Sequence, residues 1–280
     1  INLGIVLILY FGGVNVNTEA MEQKISENKI LNDKTSENRI SEGRVVMTDP
    51  KKADSFYEES IKTLRTNLQF TGRGIRVIMI SSCYPNEGKS DIIFQLAREI
   101  GNMGKRVLLL DADIRKSTFI SRYQVRKKNI YGLSHYLCGQ AEIDKIRYQT
   151  NFPGLDVIFA GPSVPNPSEL LEDFAFESLI QKMRGEYDYI LIDTPPIVSV
   201  SDALIVAKYC NGVILVVESK LVSYKVLQKV KKQLAQTGCR VLGAVLNKVD
   251  LEEDKYYSRY GYYKYYSKYE YKKENSGQGQ

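Results

Sequence analysis

Six short runs of Val, Ile and Leu recur between residues 75 and 246, and they constrain the fold more than any other feature. The runs are almost continuously apolar, which indicates strands that are buried on both faces. Helical stretches separate them, so the pattern predicts a doubly wound α/β fold with a mainly parallel sheet and a ligand site at the carboxyl ends of the strands. The predicted strands are 75–81, 106–111, 155–159, 187–193, 212–218 and 240–246, and the predicted helices are about 89–103, 131–138, 168–184, 202–209 and 223–237.

Segments of different composition flank this pattern. The chain opens on an apolar run, Leu3 to Phe11, which is too short to span a bilayer because a spanning helix takes about 20 residues. Two interpretations stay open for it: the end of a transmembrane helix truncated upstream, or a short buried or interfacial segment. A helix is predicted from Asp54 to Phe70, with Asp54 as its N-cap. The predicted division is an apolar segment at 1–13, a polar linker at 14–50, an α/β domain at 51–250 and a tyrosine-rich tail at 251–280.

The charge and the tyrosines are concentrated in that tail. The net charge is +6, but residues 255–273 alone carry +5, so the body of the protein is nearly neutral and a nucleic-acid partner is not expected. The four cysteines are far apart and there is one histidine, which argues against a zinc site or a disulfide framework and favours a reducing compartment. Nine of the 20 tyrosines lie in the tail, which is predicted to be disordered when free: Tyr256, Tyr257, Tyr260, Tyr262, Tyr263, Tyr265, Tyr266, Tyr269 and Tyr271.

A phosphate-binding loop follows the first predicted strand. Residues 81–90 read Ser-Ser-Cys-Tyr-Pro-Asn-Glu-Gly-Lys-Ser and open into a helix, which nearly matches G-x-x-x-x-G-K-[ST] with Cys83 at the first glycine position. In such a loop the backbone amides hold phosphate oxygens, Lys89 reaches the terminal phosphates and the Ser90 hydroxyl ligates Mg²⁺. The loop therefore predicts a site for ATP and Mg²⁺.

Two further predicted strands end in carboxylates. One is followed by Asp111-Ala-Asp113-Ile-Arg115, and the other ends at Asp193, before Thr-Pro-Pro. The carboxyl ends of parallel strands meet at one edge of the sheet, so these side chains are expected beside the phosphate loop. Together they predict a magnesium–nucleotide site, in which Asp193 holds a metal-bound water. The predicted metal-binding residues are Ser90, Asp113 and Asp193.

With these motifs, residues 50–272 resemble the bacterial tyrosine kinases (BY-kinases) of capsule and exopolysaccharide synthesis. The resemblance rests on the phosphate loop, the motif 111–115, Asp193-Thr-Pro-Pro, the segment Ala160–Leu171 and the terminal tyrosine cluster. The first predicted helix, with Glu58 and Leu64-Arg65-Thr66-Asn67, is similar to the helix through which that family oligomerises.

The resemblance implies an ATP-dependent protein-tyrosine kinase that phosphorylates the tail tyrosines in trans, within a ring of subunits. It implies that Asp111 or Asp113 receives the proton of the attacking tyrosine. Lys89 and Arg115 can supply positive charge during phosphoryl transfer, although a salt bridge from Arg115 to a neighbouring carboxylate is an equal alternative. The residues assigned to the nucleotide are Pro85, Asn86, Glu87, Gly88, Lys89, Ser90, Asp91 and Asn247.

The family also implies partners and a location. It implies a transmembrane activator, either a separate protein or a fused segment to which residues 1–50 would belong, and a cognate tyrosine phosphatase. The expected place is the cytoplasmic face of the plasma membrane, where the kinase would regulate polysaccharide synthesis and export.

Two positions depart from the family pattern. Asp91 stands where the family usually has Thr, and it lowers nucleotide affinity if it points towards the phosphates but changes nothing if it points outward. Lys62 stands where an Arg is common, which weakens a bidentate contact between subunits.

Rival interpretations use the same fold or the same tail. A partitioning-type P-loop ATPase carries a second lysine in the loop, five positions before the lysine that corresponds to Lys89. That position is Tyr84 in this chain. The basic, aromatic tail is also compatible with an arm that binds a membrane or single-stranded nucleic acid, or with a solvated tail that has no further role.

Overall fold

One mixed sheet of eight strands organises the part of the chain that the structure, a computed structural model, describes: residues 3–10, 43–49, 55–72 and 74–250. The strand order is β1-β8-β7-β2-β6-β3-β5-β4. The strands are β1 Leu3–Tyr10, β2 Val77–Ser82, β3 Val107–Asp111, β4 Arg147–Gln149, β5 Leu155–Ile158, β6 Tyr189–Asp193, β7 Gly212–Glu218 and β8 Arg240–Asp250. The helices are α1 Ser55–Phe70, α2 Lys89–Asn102, α3 Phe119–Arg122, α4 Leu133–Leu137, α5 Ile143–Ile146, α6 Pro167–Glu172, α7 Phe174–Glu186, α8 Asp202–Ala207 and α9 Tyr224–Gln236.

The six central strands are parallel, which confirms the predicted doubly wound fold. Every residue of β2 and β3 is buried, because helices cover both faces of the sheet. Successive residues of a strand point to opposite faces, so Val77 and Met79 pack with helices α4–α9, whereas Ile78 and Ile80 pack with α1–α3. The apolar runs are therefore continuous because each strand contributes to two cores.

The edges of the sheet are where the structure adds to the sequence prediction. β4 pairs antiparallel with β5, and its three residues are too few to produce a periodic signal. β1 pairs antiparallel with β8, so residues 3–10 form a strand and not the end of a helix. None of the helices in the described residues is both long and apolar enough to cross a membrane.

Residues 43–49, the edge segment, belong to the predicted linker but pack against the domain. The Val45 amide donates to the Gln149 carbonyl at 2.9 Å, which extends the sheet beyond β4, and the Thr48 amide donates to the Tyr123 carbonyl at 2.8 Å. Val45 and Met47 are each 2% exposed, whereas Val46 between them is 51% exposed. The domain therefore begins several residues before α1.

The carboxylate of Asp49 fastens the end of the edge segment to α2. It forms an ion pair with Arg98 and accepts a hydrogen bond from Gln95 Nε2 at 2.7 Å. The Arg98 guanidinium in turn lies 4.7 Å from the centre of the Phe152 ring, within the range of a cation–π contact. The edge segment is thus held by main-chain pairing, burial and charge together.

Met47→Ala is expected to lower the free energy of unfolding by about 2–5 kcal/mol, because it removes a buried side chain and leaves a cavity. Urea denaturation of the whole chain measures this loss. Val46→Ala is the matched control, and it is expected to change stability by no more than about 0.5 kcal/mol, since this side chain faces solvent. Equal effects of the two substitutions would show that the edge segment is not docked as described.

Candidate active site

A buried glutamate supports the loop between β2 and α2. Glu87 is fully buried, and its carboxylate accepts hydrogen bonds from the backbone amides of Tyr84, at 2.8 Å, and Glu218, at 3.1 Å. Burial raises the pKa of Glu87, and the hydrogen bonds from backbone amides oppose that rise. Glu87 was predicted to bind nucleotide, but in the structure its side chain ties the loop to the end of β7.

The end of β8 closes over the same loop. Asn247 Nδ2 donates to the Glu87 carbonyl at 2.8 Å, and Lys248 Nζ donates to the Asn86 carbonyl at 2.8 Å. Gly88 has φ of 92°, and a Cβ built there would lie 2.1 Å from Asn247 Nδ2. The glycine of the motif is therefore required twice, by its backbone conformation and by the approach of Asn247.

The first turn of α2 meets the end of β6 at Asp193. Ser90 Oγ donates to Asp193 Oδ2 at 2.6 Å, and Lys89 Nζ lies 3.3 Å from Asp193 Oδ1. Asp193 is 2% exposed, and its Oδ1 accepts no hydrogen bond among the described residues. Burial raises the pKa of Asp193 despite the opposing charge of Lys89. The site thus holds a buried carboxylate oxygen that an additional donor or cation can satisfy.

The two other predicted carboxylates follow β3. Asp111 is the residue beside Asp193 in the parallel ladder, and burial and the neighbouring Asp193 raise its pKa to about 7. Its carboxylate accepts hydrogen bonds from the Asp113 amide, at 3.2 Å, and from the Ser117 hydroxyl. Asp113 is half-buried and accepts a hydrogen bond from the Lys116 amide at 3.1 Å. The structure therefore brings Lys89 and three carboxylates together.

Arg115 forms a salt bridge with Asp202, a residue that belongs to none of the motifs in the sequence. Arg115 Nε and Nη2 donate to the two carboxylate oxygens of Asp202, at 2.6 and 2.9 Å. Ser168 Oγ accepts from Arg115 Nη2 at 3.1 Å and donates to Asp202 Oδ1 at 2.7 Å. Burial by itself raises the pKa of Asp202, but the hydrogen bonds from Arg115 and Ser168 bring it below its usual value. The salt bridge of Arg115 is thus present in the structure, and its guanidinium also lines the cavity beside Asp113 and Lys89.

Asp91 points away from Lys89 and towards α3. Its Oδ1 lies 2.9 Å from Arg122 Nη1 and 3.4 Å from the Tyr123 hydroxyl, which also donates to the Ser90 carbonyl at 3.0 Å. The negative charge that departs from the family pattern is therefore balanced by Arg122. Lys62, the other departure, forms an ion pair with Glu59 on the exposed side of α1, at 3.4 Å.

A cavity of about 380 Å³ lies above these side chains. Its walls include residues that the sequence did not single out, among them Ser117, Phe119, Arg122 and Ser199. Glu87, Asp91 and Asn247 are not part of the cavity wall, and the tail tyrosines 256–271 lie outside the described residues. The predicted site residues that do line it are Pro85, Asn86, Gly88, Lys89, Ser90, Asp111, Asp113, Arg115 and Asp193.

The raised pKa of Glu87 predicts a pH-dependent stability. Between its ordinary value of 4.5 and its raised folded value, the folded state binds more protons than the unfolded state. The stability of the wild-type chain relative to Glu87→Gln is therefore expected to fall as the pH rises through that window, because the buried carboxyl becomes charged. Urea denaturation at a series of pH values measures the difference.

Glu58→Gln is the control for that experiment, because it removes the same charge from an exposed position on α1. A difference between wild type and Glu87→Gln that does not change with pH would contradict the burial of an ionisable carboxyl in the loop.

Comparison with known proteins agrees with this geometry. Residues 75–242 match a family model described as an AAA domain. The tyrosine-protein kinase CpsD of Streptococcus agalactiae is 38% identical over 206 residues, which cover 74% of this chain and 89% of that protein. The kinase domain of the Escherichia coli tyrosine kinase ETK is 33% identical, with a TM-score of 0.66 over 69% of this chain and 76% of that chain.

Two more structures extend the comparison. The chimerical protein CapA2B2 is 30% identical, with a TM-score of 0.66 over 74% of this chain and 93% of that chain. The septum site-determining protein MinD of Pyrococcus horikoshii, at 24% identity and a TM-score of 0.53, covers 60% of this chain and 68% of that chain and shares the fold. By the length and identity of these matches, the chain belongs to the family of bacterial tyrosine-protein kinases that includes CpsD.

Proposed function

We propose that this protein transfers the terminal phosphoryl group of ATP to tyrosine hydroxyls, and that its own tail supplies the acceptors. The observation that carries the proposal is the meeting of Lys89 and Ser90 with Asp193, Asp111 and Asp113 in one cavity, in a chain whose relatives are named tyrosine-protein kinases. Phosphoryl transfer depends mostly on positioning and on charge, and this cavity supplies both.

The residues present fit a magnesium nucleotide. Gly88, Lys89 and Ser90 line the cavity where α2 begins, and the backbone amides at a helix N-terminus are suited to phosphate oxygens. The Ser90 hydroxyl and the carboxylates of Asp113 and Asp193 are the oxygen ligands that Mg²⁺ prefers, and Asp193 Oδ1 has no partner among the described residues other than the Lys89 ammonium, at 3.3 Å. Bound there, Mg²⁺ neutralises charge on the phosphates.

Lys89 is the residue that would hold the terminal phosphates. Burial alone lowers the pKa of this ammonium, but the carboxylates of Asp193, Asp113 and Asp111 raise it, so Lys89 is charged at neutral pH. Its present partner, Asp193, is also the residue assigned to the metal. Binding of a magnesium nucleotide would give each of them a new partner of opposite charge.

The chemical step forms a bond between the tyrosine oxygen and phosphorus and breaks the bond between that phosphorus and the bridging oxygen of ADP. The phenol proton goes to Asp111 or Asp113, whose carboxylates lie beside Lys89 in the cavity. A phenol has a pKa near 10, so a carboxylate acceptor assists at neutral pH. Arg115 supplies positive charge at the same place.

The tail 256–271 is the proposed acceptor, and it would enter the cavity of a neighbouring subunit in a ring. α1 carries the contact between subunits in this proposal. Each phosphate adds about −1.5 to −2 charges, so phosphorylation would reverse the +5 charge of residues 255–273. That reversal would release the subunits and change their contact with the polysaccharide machinery.

The proposed setting is the cytoplasmic face of the bacterial plasma membrane, in the regulation of capsule or exopolysaccharide synthesis and export. A relative is named as a kinase in the cps region of Klebsiella pneumoniae, which supports the link to the capsule. A transmembrane activator, separate or fused through residues 1–50, and a cognate phosphatase are the proposed partners. The partitioning-type ATPase has less support, because Tyr84 stands in place of its second lysine.

Lys89→Met is expected to abolish tyrosine phosphorylation, because it removes the charge that holds the terminal phosphates. The purified chain, with the activating segment supplied, is incubated with magnesium ATP, and phosphotyrosine is mapped by mass spectrometry. The wild type is expected to carry phosphate on residues 256–271, and the variant none.

Lys105→Met is the control, since this lysine is exposed in the turn between α2 and β3, away from the cavity. Hydrolysis of ATP by the wild type without any phosphotyrosine would refute the kinase proposal and favour the ATPase.

A further inference from the structure

We propose that Asp202 and Ser168 are positioning residues that hold the guanidinium of Arg115 ready for an oxygen of the phosphoryl group during its transfer. This inference rests on the proposed function. It concerns two residues, from α6 and α8, that contact Arg115 but line no part of the cavity themselves.

The contacts form a closed ring of hydrogen bonds. Asp202 accepts hydrogen bonds from Nε and Nη2 of Arg115 in a bidentate pair, and Ser168 is hydrogen-bonded to both Arg115 and Asp202. Rotation of the Arg115 or the Asp202 side chain would therefore break at least two hydrogen bonds. A guanidinium that is already fixed loses little conformational freedom when it binds an anion. The ring therefore prepares Arg115 for a ligand.

The ring uses only part of the donor capacity of Arg115. Arg115 donates three hydrogen bonds within the ring, all from Nε and Nη2. The two N–H groups of Nη1 have no partner among the described residues. Arg115 lines the cavity, and its side chain is 38% exposed. Two adjacent N–H groups on a fixed cation suit a phosphoryl oxygen.

The burial of Asp202 argues against a role in stability alone. Asp202 is completely buried whereas Arg115 is partly exposed, so Asp202 loses its hydration in a pair that, like other buried ionic groups, is often no more stabilising than apolar residues of similar size. Within the described residues, the side-chain hydrogen bonds that its carboxylate accepts come from Arg115 and Ser168. The burial of Asp202 is explained if the Asp202 carboxylate serves to orient the Arg115 guanidinium.

The oxygen that binds Arg115 could belong either to ATP bound in the ground state or to the phosphoryl group during its transfer. The hydrogen bonds of Arg115 within the described residues are with Ser168 of α6 and Asp202 of α8, and none is with the phosphate loop. We therefore assign Arg115 to the group in transfer, so that its placement affects the rate more than the affinity for ATP.

The test compares Asp202→Asn, Ser168→Ala, Arg115→Ala and the double variant Arg115→Ala/Asp202→Asn in the whole chain. The initial rate of tyrosine phosphorylation at saturating magnesium ATP and the Kd of a fluorescent ATP analogue are measured. Asp202→Asn is expected to lower the rate at least tenfold, with the Kd changed less than about threefold, because a guanidinium out of place costs rate. In the Arg115→Ala background, Asp202→Asn is expected to change the rate less than about twofold.

Ser168→Ala keeps the salt bridge and serves if Asp202→Asn does not fold, as judged by thermal unfolding; its rate is expected to fall severalfold. Ser178→Ala on α7 is the matched control and keeps the wild-type rate. A Kd that rises by the same factor as the rate falls would assign Arg115 to bound ATP instead. A full effect of Asp202→Asn in the absence of Arg115 would also overturn the inference. An inactive wild type would refute the proposed function, whereas an active wild type with an unchanged Asp202→Asn would refute this inference alone.

Discussion

The parallel alignment of β2, β6 and β3 is the constraint on which the site depends. Ile80 of β2 and Asp111 of β3 both pair in register with Asp193 of β6, so β3 and β6 end at the same level and β2 continues beyond it to Ser82. The loop after β2 and the carboxylates of the other two strands are therefore placed together by main-chain hydrogen bonds. A shift of one residue in any strand would turn each side chain to the opposite face of the sheet and separate Asp193 from Lys89.

The electrostatic balance of the site follows from that alignment. Three carboxylates surround Lys89, and burial raises the pKa of both Asp111 and Asp193. Negative charge thus exceeds the positive charge supplied by this lysine, and desolvation makes the excess costly. A divalent cation with its nucleotide would complete the balance. Asp91, which directly follows Ser90, would add further negative charge near this site, and its pairing with Arg122 balances that charge.

The fold and the main site residues could be predicted because their signals are local. Continuous apolar runs mark strands, and the loop motif spans consecutive residues. Contacts between distant residues left no such signal: Arg115 meets Asp202 across 87 positions, and Asp91 meets Arg122 across 31. Asp202 stands at the start of a helix, where an acidic residue is ordinary, and Glu87 lies within the motif but faces the fold. The apolar run at 3–10 has no helical or strand periodicity of its own, so pairing with β8 decided its form.

The edge segment has a mechanical consequence. Its Thr48 amide holds the carbonyl of Tyr123, and the hydroxyl of Tyr123 holds the carbonyl of Ser90, so one rigid ring spans the distance from the start of the domain to the first turn of α2. The Tyr123 ring packs against the rings of Phe94 and Phe119, which restrict its rotation. A displacement of Thr48 that moves Tyr123 would therefore also move the hydroxyl that donates to the Ser90 carbonyl, so the start of the domain and the phosphate loop are mechanically coupled through one side chain.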